Sequence, residues 1–301
     1  MKDEQDVRAF VVGDVEVLRI VERQGPLVPA RRLVPDCGAQ VWREHAGELV
    51  PRYWEPDRDM AMLAVQTWVV RSGGRTVLVD TGVGRDRERP GSPLFHRQPG
   101  DLPGRLRRAG VDPAEVDVVV NTHIHGDHVG WNTRDENGEW VPAFPRATYL
   151  LPAPDDRYFG PEGGYAGGTR VDDRLLYEDS IAPVHRAGQA VVWEDGYRVD
   201  EHLRLEPAPG HTPGSSVLRV SSRGEHAVFV GDVLHSPVQV LRPGCNSCFC
   251  LDPRQAASTR RRVLQQAADE RALVIPAHFP GTGVVEVGEG RGGFTMRRWA
   301  V

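Results

Sequence analysis

Lysine is all but missing from this chain of 301 residues: Lys2 is the one lysine among 37 basic residues. Against 42 acidic residues the net charge is −5 at pH 7, and no block of basic residues stands out. Nucleic acid is therefore not an expected partner. Long apolar runs are lacking too, with no window near the ~18 consecutive apolar residues of a spanning helix, so no membrane partner is expected. The first residues, Met1-Lys2-Asp3-Glu4-Gln5-Asp6, are acidic where a secretory signal has a basic start and an apolar run. The expected location is cytoplasmic. Cysteine is scarce: Cys37 stands alone, and Cys245, Cys248 and Cys250 share one short stretch that lacks a fourth zinc ligand at suitable spacing. Free thiols without a metal role are the expectation.

What is present is ordinary globular composition, 40% hydrophobic and 26% charged, with no internal repeat or low-complexity linker. One domain over residues 1–301 is the expected organisation. Strand signals lie at 7–21 with a break at Gly13-Asp14, then at 63–71 and 76–79 around the turn Ser72-Gly73-Gly74-Arg75. Residues 24–59, with five prolines, read as loop. Residues 83–100, polar and rich in Gly, Pro and Arg, read as a lid loop. A helix is expected over 102–109 and a doubly buried strand over 116–120. Another strand follows at 147–151. An insertion around 152–188 combines a Gly- and Pro-rich loop with a helix broken near Pro183. Short strands follow at 190–193, 203–206, 216–220 and 227–230. Asp252-Pro253 opens a helix to about residue 270, with Ala256, Val263, Leu264 and Ala267 on its packed face and Arg260 to Arg262 on its solvated side. Residues 273–275 close the series as a strand. The class is mixed α and β.

His123-x-His125-x-Asp127-His128 places four metal-ligand types in six positions. Histidines two apart on extended chain project to the same side, and the following turn can bring Asp127 and His128 to a neighbouring point. His211 in Gly210-His211-Thr212-Pro213-Gly214, Asp232 after Val230-Gly231, and His278 in Pro276-Ala277-His278 add three more candidates at turns or strand ends. Strand ends on one sheet edge can converge, and two metals a few ångströms apart can activate water for attack on a carbonyl or phosphoryl centre.

These motifs, in this order and over nearly the whole chain, resemble the metallo-β-lactamase-fold superfamily. The resemblance implies an α+β class, as a four-layer αβ/βα sandwich with a two-metal site at one edge. It also implies that His123, His125 and His211 hold one metal, that Asp127, His128 and His278 hold the other, and that Asp232 bridges. Asp80 would orient a ligand from outside. Two Zn2+ per chain are implied, with Mn, Fe or Co as substitutes for nitrogen and oxygen donors. HIHGDHVGWN (123–132), GDVLHSP (231–237), NSCFCLDP (246–253) and AHFP (277–280) resemble the quorum-quenching lactonase and methyl-parathion-hydrolase-like branch. Many lactonases have a tyrosine three residues after the bridging aspartate; this chain has His235.

The implied function is a dinuclear hydrolase of a small-molecule ester, lactone or related acyl or phosphoester, with Asp127, Asp232 and His235 as catalytic groups. His235 would protonate the leaving group or contact the oxyanion, with packing beside the site as its other reading. A persulfide-dioxygenase-like single-iron enzyme and a non-catalytic metal-binding effector are the alternatives. Phe95, Trp131, Tyr158, Phe159, Phe249 and Phe279 are candidate substrate walls or core. Arg85, Arg87 and Arg89 either bind an anionic group or are solvated. His45, His96, His185, His202 and His226 read as structural or exposed, and a homodimer is possible.

Overall fold

A computed structural model describes residues 9–167, 171–290 and 293–298. Residues 7 and 8 of the expected first strand, and 168–170 of the expected insertion, lie outside them. Two sheets make the frame. The first has the order Ala9–Val12, Val15–Pro29, Met60–Ser72, Arg75–Val79, Val118–Val120, Thr148–Pro152, Ala190–Trp193, with Trp54–Glu55 also paired to Met60–Ser72. The second runs Tyr197–Arg198, Leu203–Pro207, Ser216–Ser222, Glu225–Gly231, Leu273–Pro276, Val285–Gly290, Gly293–Arg298.

Alternation along the strands explains the layers, because successive side chains face opposite sides of a sheet. Val70, Val77, Val79, Val118 and Val120 meet Leu205, Leu218, Phe229 and Ile275 between the two sheets. Val69, Leu78 and Val119 point the other way, onto Leu102 and Leu106 of the helix Leu102–Arg108. On the far side of the second sheet, Val228, Val230 and Val274 pack on Val263, Leu264 and Ala267 of the helix Pro253–Glu270. Helix, sheet, sheet, helix is the expected four-layer sandwich, and strands buried on both faces read as the continuous valine runs seen in the sequence.

Four expectations are corrected. Residues 24–29 continue a strand, Val15–Pro29, whose pairing with Met60–Ser72 passes two register irregularities that hide its periodicity. Short helices, Ala30–Leu33, Ala39–Glu44 and Ala46–Leu49, then occupy part of the expected loop. Residues 153–159 form a helix rather than loop, and Val171–Arg186 continues through a π-helical segment at Tyr177–Ile181. Two cysteines are paired: Cys37 and Cys245, 208 residues apart, have their Cα atoms 5.6 Å apart in a disulfide. Spacing arithmetic sees only neighbours, so that pairing left no trace in the sequence. Cys248 and Cys250 remain free.

Charged side chains give the fourth correction. Arg260 is fully buried, donating to the carbonyls of Val233, Pro243 and Cys245. Arg87 and Arg89 are buried as well, although residues 83–100 form neither helix nor strand. Arg89 makes a bidentate pair with Asp179 at 2.7 and 2.8 Å. Arg87 donates to Gly130 O and Thr133 O and lies 3.7 Å from the centre of the Trp140 ring. This segment is thus bolted to the π-helical turn by a buried carboxylate, not carried as a solvated flap. Asp179→Ala leaves two buried cations without their anion and is expected to cost about 3–5 kcal/mol of stability. Urea unfolding measures it, and a loss below about 1 kcal/mol would place the pair in the class of exposed bridges.

Candidate metal centre

Strand ends deliver the site. Val118–Val120 runs into the histidine motif, and its parallel neighbour Arg75–Val79 ends at Asp80. In the second sheet Glu225–Gly231 leads to Asp232, and its parallel neighbour Leu273–Pro276 leads to His278. His211 sits in the turn between the paired strands Leu203–Pro207 and Ser216–Ser222. Gly231, at φ +48°, has to be glycine: a Cβ there would stand 2.8 Å from Thr122 Oγ1.

His123, His125, His211 and Asp232 form one group, and Asp127, His128 and His278 a second, with the potential ligand atoms in each within 4.8 Å of one another. Asp232 touches both. Its Oδ2 is 3.2 Å from His211 Nε2 and 3.7 Å from His123 Nε2. Its Oδ1 is 2.9 Å from His278 Nε2 and 3.3 Å from His128 Nε2.

The donor set fits divalent cations. His125 Nδ1 lies 3.1 Å from His123 Nε2 and 3.0 Å from His211 Nε2, so three ring nitrogens converge on one point. Burial, reinforced by the neighbouring histidines, pushes His123 and His211 well down, and burial pushes His125 down to about 4. Neutral imidazole is the ligating form. Nε2 of His128 and Oδ1 of Asp232 are buried without a hydrogen bond of usable geometry. Burial raises the Asp232 carboxyl, but His278, His128, His235 and His211 together hold it well below the usual range. For His278 burial works downward, and the Asp232 charge outweighs it to about 9.

The rings are held from behind, which fixes which nitrogen faces the site. Asp80, at the left-handed φ of 57°, accepts from Thr122 N at 2.8 Å and lies 2.8 Å from His128 Nδ1. His278 Nδ1 is 2.9 Å from Ala64 O, and His123 Nδ1 is 3.1 Å from Thr122 Oγ1. Asn132 and Asn121 hydrogen-bond each other beneath the motif, and Thr81 donates to His128 O and Asn132 Oδ1.

Asp155 is the residue that sequence reasoning missed. Its buried carboxylate accepts from Ile124 N at 2.9 Å, Thr212 Oγ1 at 2.8 Å and Gly214 N at 2.5 Å. One side chain thereby ties the His123–His125 segment to the His211 turn. Gly214 makes room for it, since a Cβ there would lie 2.6 Å from Asp155 N. No spacing relates residue 155 to either segment, so only the packing shows it.

His235 stands at the cluster, its Nε2 3.1 Å from Asp232 Oδ2, and among the described residues neither ring nitrogen makes a hydrogen bond of good geometry. Gln239 Oε1 accepts from His235 N at 2.7 Å and so fixes the turn that presents the ring. A cavity of about 690 Å3 opens onto these groups, with Leu33, Leu63, Val65, Phe95, Leu176 and Phe249 among its apolar walls. Of the other expected walls, Phe279 packs in the core against Tyr53, Phe159 packs on His125, Tyr158 packs on Phe159, and Trp131 is buried beside the helix Leu102–Arg108.

The sequence model described as the Metallo-beta-lactamase superfamily matches residues 61–278. A ribonuclease of Thermus thermophilus is 28% identical over 183 residues, 56% of this chain and 35% of that protein. The N-acyl homoserine lactonase AttM of Azorhizobium caulinodans is 31% identical over 129 residues, 40% of this chain and 42% of that protein. The chain thus spans well under half the length of these curated relatives. Among solved structures, AidC, a dizinc quorum-quenching lactonase, superposes with a TM-score of 0.80 at 19% identity, covering 98% of this chain and 97% of its own. At that identity the likeness is one of fold.

If Asp155 holds the first group together, Asp155→Ala is expected to weaken divalent-ion binding by about 10–100-fold. Competition with a chromogenic chelator measures this; unchanged affinity in a folded variant would reduce Asp155 to ordinary packing.

Proposed function

The chain belongs to the metallo-beta-lactamase superfamily, and on that premise we propose that it is a hydrolase of small-molecule esters, lactones or related acyl or phosphoester compounds, holding two zinc ions. The observation that carries this reading is the position of Asp232, one carboxylate oxygen toward each group of histidines. His123, His125 and His211 would hold one ion, Asp127, His128 and His278 the other, and Asp232 would bridge them. Bound there, such ions lower the pKa of water toward neutrality and polarise a substrate oxygen. The complete second group supports two ions over the single iron of a persulfide-dioxygenase-like enzyme. A cavity of about 690 Å3 with apolar walls supports a small-molecule substrate.

The chain's own side chains divide the remaining work. Asp127 and Asp232 lower the net charge of the site, and Asp127 accepts the proton released by the attacking water. The carboxylate of Asp127 is half-buried and lines the cavity, which leaves an oxygen within reach of that proton. His235 donates an N–H to the oxygen that gains charge in the transition state. Its ring lines the cavity with Nε2 3.1 Å from Asp232 Oδ2, and the Gln239 turn holds it there, so the ring is already placed beside the reacting centre.

Elemental analysis paired with an ester and lactone screen, before and after chelation, tests the reading. Two zinc per chain and hydrolysis abolished by chelation are expected; one iron and no hydrolysis would overturn it. Asp232→Ala is expected to lose metal and activity together, and a loaded, active variant would remove the bridging role. His235→Asn is expected to lower kcat by about 10²-fold with metal content retained; an unchanged kcat would leave His235 as packing.

A further inference from the structure

Behind the cavity on the metal centre lies a second of about 260 Å3. Leu27, Val65, Leu94 and Phe95 line both, so the two adjoin across a shared apolar wall. The second cavity has a carboxylate in its lining. Glu22 belongs to the strand Val15–Pro29 and is half-buried, facing this space. Each of its oxygens accepts one N–H: Oε2 from Val83 at 2.9 Å and Oε1 from Trp131 Nε1 at 3.2 Å. Each carboxylate oxygen has room for a second donor. Among the described residues no arginine pairs with it; Arg105 acts on it only from a distance.

A carboxylate in apolar surroundings without a countercharge is a standing cost. Burial accordingly pushes the Glu22 carboxyl up to about 7, even with both N–H donors working against that rise. The charge of Asp127 also reaches Glu22, which puts the metal centre within electrostatic range of this end. Anchoring of residues 82–100 accounts for two of the acceptor positions: Gly82 and Gly100 lie so close that a Cβ on either would come within 2.0 and 2.6 Å of the carboxylate. The anchoring accounts for neither the remaining acceptor capacity nor the adjoining cavity.

We propose that the second cavity is a distal subsite for the acyl part of the substrate, and that Glu22 selects acyl chains bearing a hydrogen-bond donor, an ammonium or a hydroxyl, beyond an apolar spacer. This rests on the reading above that the acyl carbonyl sits at the metal cluster. In this reading the acyl chain passes from one cavity to the other by displacing the shared apolar side chains Val65 and Phe95, and its donor meets the remaining acceptor capacity of the carboxylate.

Binding tests it without turnover. Straight-chain carboxylic acids of graded length, each as the plain, the ω-hydroxy and the ω-amino acid, are titrated into zinc-loaded protein by calorimetry. At one chain length the ω-hydroxy or ω-amino acid is expected to bind about tenfold tighter than the plain acid; the stronger of those two arms identifies the donor. Glu22→Gln is expected to erase that ratio. Glu22→Asp retracts the carboxylate by one methylene and is expected to move the preferred acid one methylene longer, a shift that a purely anchoring role does not produce. Equal binding of plain and donor-bearing acids at every length, or a preference that survives in Glu22→Gln and keeps its length in Glu22→Asp, overturns the subsite. Hydrolysis of plain esters with no donor preference would remove this inference alone. A donor preference in a protein that hydrolyses nothing would remove the hydrolase reading alone.

Discussion

Everything at the active edge depends on how Asp232 is surrounded. Five imidazole nitrogens lie within 3.7 Å of its two oxygens, those of His123, His211 and His235 at Oδ2 and those of His128 and His278 at Oδ1. Crowding polar rings and a carboxylate into a buried site is costly unless each finds a partner. The arrangement is stable only if cations share it or if a rigid frame imposes it. The frame is visible: two sheets packed through valine, leucine and phenylalanine, with most of the ligands just past the ends of parallel strands and His211 in the turn between two antiparallel ones. A strand end supplies a fixed departure point, so rings from both sheets meet without a flexible linker.

The part of this that was legible in the sequence is the part written locally. Four ligand types in six residues need no tertiary information, and a run such as Val118-Val119-Val120 announces a strand buried on both faces. Asp252 before Pro253 announces its helix in the same way, and the structure has the Asp252 side chain accepting from Gln255 N. Contacts between distant segments left no such signal. Asp155 joins residues 124, 212 and 214, Asp179 joins Arg87 and Arg89, and Cys37 joins Cys245. In each case the side chain looks ordinary among its neighbours in sequence, and only the fold gives it partners. The strand Val15–Pro29 was half hidden for a related reason, since irregular pairing shifts the alternation that marks a strand.

Charge is used inside this molecule in a way composition does not reveal. An arginine-rich segment reads as solvated, because exposed arginine is the common case. Here Arg87 and Arg89 are buried, and the cost of burial is offset by one carboxylate, several carbonyls and the face of Trp140. The same segment places Leu94 and Phe95 against the cavity. An irregular stretch with few apolar residues of its own has no hydrophobic face to anchor it. Bidentate ion pairs fix both position and orientation, which an apolar contact does not.

That division has a consequence for how the cavity recognises a substrate. One end is set by the metal cluster, whose geometry comes from strand ends and does not adapt. The other, in the proposed subsite, is bounded by Glu22 and by an irregular segment held to the strand Val15–Pro29 through Val83 and to the π-helical turn through Asp179. Substitutions at Leu94 and Phe95 can reshape the wall between the cavities without disturbing the sheets, because neither residue belongs to a strand. Chemistry and selectivity therefore rest on different parts of the chain: the first on residues whose spacing announces them, the second on contacts that exist only once the chain has folded.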